Sequence, residues 1–579
     1  MTLTAIDWVV IALYFVATAI VGLWYARRAS SSTEEFFLSG RTMPWWLAGT
    51  SMVATTFAAD TPLAVTGITV KNGIAGNWIW WSMVMSGLLT VVFYARLWRR
   101  AGVMTDAEFA EIRYSGRPAA FLRGFRACYL ALAINSVIIG WVTSAMVKIV
   151  GVTLGVGKVE ATIGLFVITG AYATVSGLWG VMVTDFFQFI LAMTGCIALA
   201  FFALGAVGGM SGLLATLHAK YPDGAPLALV PPLDSASMPA IAFFVYLGVN
   251  WWASWYPGAE PGGGGYVAQR IMSAKNERHA LLAALWFNIA HYALRPWPWI
   301  IVALVSMVLY PGLPDPEIGY VKVMVDHLPP FWRGLMIAAF FAAYMSTIST
   351  QLNWGASYLV NDVYRRFAAP GRSERHYARA GRVATVVMMV VSGVVAANIA
   401  TVEGAWKFLL AVGAGTGLVY LLRWYWWRIN AWSEVSAMVA ALVVSLGAQA
   451  FGLSADDPRG FAWLLLVTTA ATTVVWLAVT YATAPEPRER LLAFYERARP
   501  GGPGWTAIVP GAAADRAVGR GVLQWALGCA IVYLGLFGIG DLVLGRIARG
   551  LVAVVVAMAL AAWLVRATGE EDARSRVVS

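Results

Sequence analysis

The stretch Gly49-Thr50-Ser51-Met52-Val53-Ala54-Thr55-Thr56-Phe57-Ala58-Ala59-Asp60-Thr61-Pro62 decides how this chain folds. It sits inside an apolar run over 43–70, and about 20 mostly apolar residues suffice to cross a bilayer. A proline and an acid in mid-span, among small and hydroxyl residues, have two physical explanations. In the first, the helix is broken, and its freed carbonyls find a partner such as an alkali cation. In the second, the proline only kinks the helix and a neighbouring helix satisfies Asp60.

The rest of the chain supplies the solvent in which either account must work. Of 579 residues, 60% are hydrophobic and 12% charged, and the mean hydropathy is +0.69. A soluble chain is about one quarter charged. This composition excludes a soluble enzyme, a secreted disulfide scaffold and a disordered protein. The cysteines Cys128, Cys196 and Cys529 form no C-x-x-C pair. Fifteen candidate spans follow from the apolar pattern: 6–26, 43–70, 74–98, 119–147, 159–177, 180–207, 238–257, 279–310, 331–362, 383–402, 404–427, 432–453, 460–483, 521–540 and 547–566. The first is read as a span and not a signal peptide, because it has no basic start and is followed by Arg27-Arg28.

The basic residues orient these spans. If the loop 27–42 is cytoplasmic, that side collects 30 of the 41 Lys and Arg residues, the opposite side 10, and Arg295 alone lies deep in a span. This alternation is the positive-inside pattern. It places the N-terminus outside and the C-terminus in the cytoplasm, in a cell inner (plasma) membrane. The formal charge of +11 is thus topological and gives no support to nucleic-acid binding. Trp45-Trp46, Trp78, Trp80-Trp81 and Trp424-Tyr425-Trp426-Trp427 fall at span ends, where aromatic belts are expected.

Polar groups inside spans are costly and need a reason. In 331–362, Ser346, Ser349 and Thr350 stand at i, i+3 and i+4 with Thr347 beside them, so the hydroxyls crowd one helix face. They are hard ligands for a small cation, or they bond back to their own helix. In Thr184-Asp185-Phe-Phe-Gln188, the acid is either a charge at a helix N-terminus or a deeper cation ligand. In 279–310, Asn288, His291 and Arg295 share a face. Arg295 lies roughly 25 Å along the axis from Arg278, too deep to snorkel. It either pairs with an acid such as Asp60 or receives an anionic or hydroxyl-rich solute. Asn250-Trp251-Trp252 with Trp255-Tyr256 precedes a glycine run; these rings are belt residues or a stacking platform. That interruption corresponds to the one at 43–70, which points to two inverted halves with a site between them.

At these residues the chain resembles the sodium:solute symporter family, which includes sugar, proline and sialic-acid symporters. The matching pieces are Phe36-Phe-Leu-Ser-Gly40-Arg41 with Pro44-Trp-Trp, Gly49-Thr-Ser51 to Ala54, Thr184-Asp185-x-x-Gln188, Gln269-Arg270 with Ala274-Lys275, Ser346-Thr347, Asp362-x-Tyr364, and Arg423-Trp-Tyr-Trp-Trp-Arg428-Ile-Asn. The resemblance implies an all-α membrane protein of the leucine-transporter type, with five-plus-five inverted repeats and about 14–15 spans. The divisions would be 1–42, a first repeat 43–207, an extracellular loop 208–237, a second repeat 238–430, and further spans over 431–579 with a cytoplasmic loop near 485–520.

The resemblance also implies a Na+ site made of the carbonyls of Ala54, Phe57 and Ala343 and the hydroxyls of Ser346 and Thr347. A second Na+ would use Asp185, Ser346, Ser349 and Thr350. Solute contacts would fall at Asp60, Thr61, Asn250, Trp251, His291 and Arg295. The family's sugar transporters carry a lysine that aligns here with His291 or Arg295, so this chain departs from them at that point. The implied function is sodium-coupled import of a small polar solute, a sugar or a sugar acid. A proton-coupled carrier titrating Asp60, Asp185 or His291 is the main rival, and a solute sensor another. No enzyme is expected, since H-E-x-x-H, G-x-S-x-G and paired acids on one face are all absent from the sequence.

Overall fold

The computed structural model describes residues 3–29, 38–235, 238–253, 262–514 and 517–577. The membrane helices, numbered here in chain order, begin with α1 (Ala5–Ala29), α2 (Trp45–Thr56) and α3 (Asp60–Asn72). Then come α4 (Ile74–Ala101), α5 (Gly116–Leu154) and α6 (Lys158–Gly205). The second half brings α7 (Ala240–Gly248), α8 (Gly265–Ser273), α9 (Glu277–Leu309), α10 (Trp332–Ala368) and α11 (Glu374–Asn398). It continues through α12 (Val402–Gly413), α13 (Gly417–Tyr425), α14 (Ala431–Ala450) and α15 (Pro458–Ala482). A shorter helix α16 (Arg488–Ala498) precedes α17 (Ala517–Val543) and α18 (Ile547–Val577).

Ten described helices are long and apolar enough to span a bilayer, and twelve if two bent pairs are each counted as one span. This is fewer than the fifteen expected. The helix at 5–21 and the one at 240–252 fall short in described length. The expected spans 159–177 and 180–207 lie on one helical run, Lys158–Gly205. Their junction falls among residues whose side chains lie outside the described ones. The first part of that run meets α11, with Phe166 against Gly393 and Gly170 against Met389. The last part meets α10, with Gly195 against Met336.

Both bent pairs have local causes. Between α2 and α3 the axis turns by 58°, and Pro62 falls in the first turn of α3, where a missing N–H costs nothing. Between α12 and α13 it turns by 45° at Gly413-Ala-Gly-Thr-Gly417, a break the apolar pattern hides. The expected second interruption also appears. Helix α7 stops at Gly248, a short 3-10 turn covers Asn250–Trp252, and the next described helix begins at Gly265. Trp255 and Tyr256 lie outside the described residues.

The aromatic belt requires correction. Trp46 is exposed, but Trp78, Trp80, Trp81 and Trp424 are buried. Trp424 packs on Phe109 with ring centroids 4.4 Å apart and on Trp98 at 5.0 Å. Large rings near span ends serve interior packing as readily as headgroups, and sequence position alone cannot separate the two.

Close packing between α2 and α9 depends on one missing side chain. A Cβ on Gly49 would lie 2.6 Å from the carbonyl oxygen of Ala283 and 2.9 Å from the Trp286 ring. Gly49→Val is expected to force α2 off α9, destabilising the protein by about 1–3 kcal/mol or more. A lowered melting temperature of the purified variant would show it; an unchanged one would contradict this packing.

Candidate functional site

The site forms where α2 ends. Phe57, at φ −87° and ψ 73°, leaves the helix. Its N–H donates to the carbonyls of Val53 at 2.9 Å and Ala54 at 3.0 Å. The break turns the carbonyls of the last helical turn toward side-chain partners. Thr347 Oγ1 on α10 donates to the Thr55 carbonyl at 2.9 Å, and Thr61 Oγ1 donates to that of Thr56 at 3.3 Å. Within the hydroxyl row of α10, Thr347 therefore faces the break, with Ala343 one turn away on the same helix. Ser349 differs: its Oγ donates to the carbonyl of Ser346 at 3.1 Å, within its own helix.

Asp185 is fully buried and lies within the helical run Lys158–Gly205, not at a helix N-terminus. Its two oxygens accept from Ser346 Oγ and Ser51 Oγ, each at 2.5 Å. Arg270, also fully buried, completes the cluster. It donates to Thr350 Oγ1 at 3.2 Å and to Ser51 Oγ at 3.3 Å, and stands 3.9 Å from Asp185 Oδ2. The sequence offered Arg270 only as part of a motif. Its pairing with an acid 85 positions earlier is a tertiary fact. Arg270 falls between two candidate spans in the sequence, so neither its burial nor its acid partner was signalled there.

The expected solute residues divide into three groups. Arg295 and His291 meet the broken helix itself. Arg295 donates to the Val53 carbonyl and to Thr56 Oγ1, both at 3.2 Å. Its guanidinium lies 5.1 Å from the Trp299 ring and 5.9 Å from that of Phe57. It also meets His291 Nε2 at 3.3 Å. A guanidinium can only donate, so Nε2 accepts, Nδ1 carries the proton, and that proton points at Thr56 Oγ1, 3.0 Å away. Thr56 Oγ1 passes the chain on to the Val53 carbonyl at 2.8 Å. His291 is neutral in this arrangement, since a second proton would set two donors face to face.

Asp60 forms the second group. Its Oδ2 accepts from Trp406 Nε1 at 3.1 Å on α12, while its buried Oδ1 takes no hydrogen bond. Trp406 carried no functional signal in the sequence. The third group points elsewhere. Asn250 Nδ2 donates to the Ile79 carbonyl at 2.6 Å and to Ser82 Oγ at 3.1 Å. The Trp251 ring lies against Trp252 at 5.6 Å and Trp525 of α17 at 5.8 Å.

Comparison with known proteins bears on this geometry. Residues 36–443 match the model of the sodium:solute symporter family. The chain is 26% identical over 556 residues to sodium/glucose cotransporter 4 of Danio rerio, covering 85% of this chain and 81% of that protein. It is 25% identical over 474 residues to a sodium/glucose cotransporter of Vibrio parahaemolyticus, covering 77% and 85%. Among solved structures, a Na+-coupled sialic acid symporter superposes with a TM-score of 0.66 at 18% identity, covering 84% of this chain and 99% of that one. That likeness establishes the fold. Hydrophobic spans, the discontinuous helix and the family match agree: this chain belongs to the sodium:solute symporter family and is a multi-pass membrane transporter of the leucine-transporter fold that couples sodium to the movement of a small solute.

Proposed function

We propose that the protein imports a sugar or sugar acid with Na+ bound at the break between α2 and α3. The observation that carries this reading is the Thr347 hydroxyl on the Thr55 carbonyl: a hard donor set on α10 abuts unwound backbone inside the membrane. The ion would take the carbonyls of Ala54, Phe57 and Ala343 and the hydroxyls of Ser346 and Thr347, with Thr347 turning from its present acceptor. Holding α10 to the break completes the solute side, so coupling is a difference in affinity between states. Inward Na+ movement contributes about 2.3 kcal/mol per charge per 100 mV.

One Na+ per cycle fits the second cluster best. Asp185 already accepts from two hydroxyls, and Arg270 supplies the positive charge beside it and holds Thr350. A second ion at Asp185, Ser346, Ser349 and Thr350 would displace that guanidinium. On the solute side, the open Oδ1 of Asp60 suits a hydroxyl donor. Thr61, His291 and Arg295 lie around the same break, and the Arg295 guanidinium on His291 Nε2 disfavours a second proton there and so its use as a proton carrier. Asn250 and Trp251 act at the periphery. The basic loops support an outside N-terminus and a cytoplasmic C-terminus in a plasma membrane. The repeats are assigned to 43–207 and 238–430.

The test is thermal stabilisation of the purified protein by neutral sugars, sugar acids and amino acids, each with and without Na+. A sugar or sugar acid that raises the melting temperature only in Na+ is the expected result. Stabilisation that ignores Na+ and follows pH would select proton coupling instead.

A further inference from the structure

Helix α17 lies beyond both repeats in the chain, yet it is seated against the turn that aims His291 and Arg295. That turn, Ile289–Leu294, is a π-helical segment inside α9. Such a widened turn leaves the regular hydrogen-bond ladder and occurs frequently at functional sites. It has no proline of its own; Pro296 begins the next helical stretch. What fixes its position must come from a neighbour.

The neighbour is α17, which approaches through glycines. A Cβ on Gly535 would lie 3.3 Å from the Cβ of Ala293, within the π turn. Gly540 faces the Trp297 ring so closely that any side chain there would overlap it. Trp297 Nε1 in turn donates to the Leu536 carbonyl at 2.9 Å, tying the end of the turn to α17 backbone. The same helix fastens α4, since Tyr533 Oη donates to the Trp81 carbonyl at 3.1 Å and Trp525 Nε1 to that of Met85 at 2.7 Å. Helix α4 supplies Trp80, whose ring stacks on Tyr292 at 5.9 Å and meets His291 edge-on at 5.9 Å. The imidazole is thus set between the turn and a tryptophan, and α17 holds both from behind.

We propose that α17 sets solute affinity, with Gly535 and Trp297 as positioning residues that hold the π turn so that His291 and Arg295 stay on the broken helix. Neither residue touches the solute. This rests on the reading of His291 and Arg295 as solute contacts. Displacing the turn disturbs that pair while leaving in place the α10 groups assigned to Na+, namely Ala343, Ser346 and Thr347.

The experiment is sodium-driven uptake by the full chain in proteoliposomes, using the sugar or sugar acid that stabilises it. Gly535→Val is expected to raise the solute KM by roughly tenfold to a hundredfold, because a displacement of about 1 Å can cost a hundredfold. kcat and the half-saturating Na+ concentration should stay within about twofold. Ala293→Gly in the same chain should restore KM by returning the space. Should Gly535→Val fail to fold, Trp297→Phe decides, since it keeps an aromatic ring but removes the bond to Leu536 and the indole's reach to Gly540. A folded variant with unchanged KM overturns the proposal. So do equal losses in KM, kcat and Na+ response without rescue, which would make α17 a general prop. His291→Ala separates the two levels. If it leaves solute binding intact, the solute reading falls and takes this inference with it. If it abolishes binding while Gly535→Val is silent, only the inference falls.

Discussion

Replacing Ser346 and Thr347 together by alanine should abolish sodium activation of uptake across any practical concentration range. A hydrogen bond or ligand contact to a charged group contributes about 1.5–3 kcal/mol, or roughly tenfold to a hundredfold in affinity for each hydroxyl. The pair also performs two other tasks. Thr347 holds the Thr55 carbonyl, and Ser346 holds Asp185. The double variant therefore loses ligands and the contact that joins α10 to the break. Uptake measured against Na+ concentration, beside the solute's effect on melting temperature, reads both. Ser349→Ala is the internal control. Its hydroxyl bonds to its own helix, so sodium activation should stay near that of the parent chain. Unchanged sodium dependence in the double variant would reject the assigned ion site.

Glu434→Ala should be the most damaging single change for stability. This carboxylate, on α14, is 1% exposed and pairs with Arg423 at 3.2 Å and Arg126 at 3.9 Å, each also 1% exposed. It further accepts from Tyr114 Oη at 2.6 Å. Removing it takes this carboxylate from two buried guanidinium groups, leaving Arg126 its Asp106 pair at 3.3 Å, and takes the acceptor from a buried phenol. Breaking a buried pair in this way costs about 3–5 kcal/mol. The variant is expected to yield little folded protein, with a sharply lowered melting temperature in detergent. Glu434→Gln, which keeps the shape and one acceptor, should lose less. A Glu434→Ala variant as stable as the parent would show that the arginines are satisfied by other groups, such as the Asp106 carboxylate 3.3 Å from Arg126.

The two halves of the candidate site were not equally legible. The break at Phe57 could be read because proline, an acid and clustered hydroxyls in a span are each expensive in lipid, and their coincidence has few explanations. The hydroxyl row of α10 followed from helical periodicity alone. Ser349 shows the limit of that argument. It occupies the right face, yet its hydroxyl turns to its own backbone, a choice set by a rotamer that periodicity does not specify. Arg270 was beyond reach for another reason. It falls between two candidate spans, so nothing in the sequence marks it as buried, and its partners Ser51, Asp185 and Thr350 come from three different helices. The tryptophans failed for a related reason: Trp424 and Trp81 lie at span ends in the chain but are enclosed by other helices in space.

What the sequence determined by itself is the solvent and the place where the helix breaks. These depend on local cost, namely apolar length and the presence of backbone-breaking residues in hydrocarbon. The tertiary structure decided which groups meet at the break: Thr347 on Thr55, Arg270 with Asp185, Arg295 and His291 on Val53 and Thr56, and α17 behind them. Those pairings depend on how helices distant in sequence cross. Crossing is fixed by the sum of many side-chain contacts over the whole bundle, which no single segment encodes.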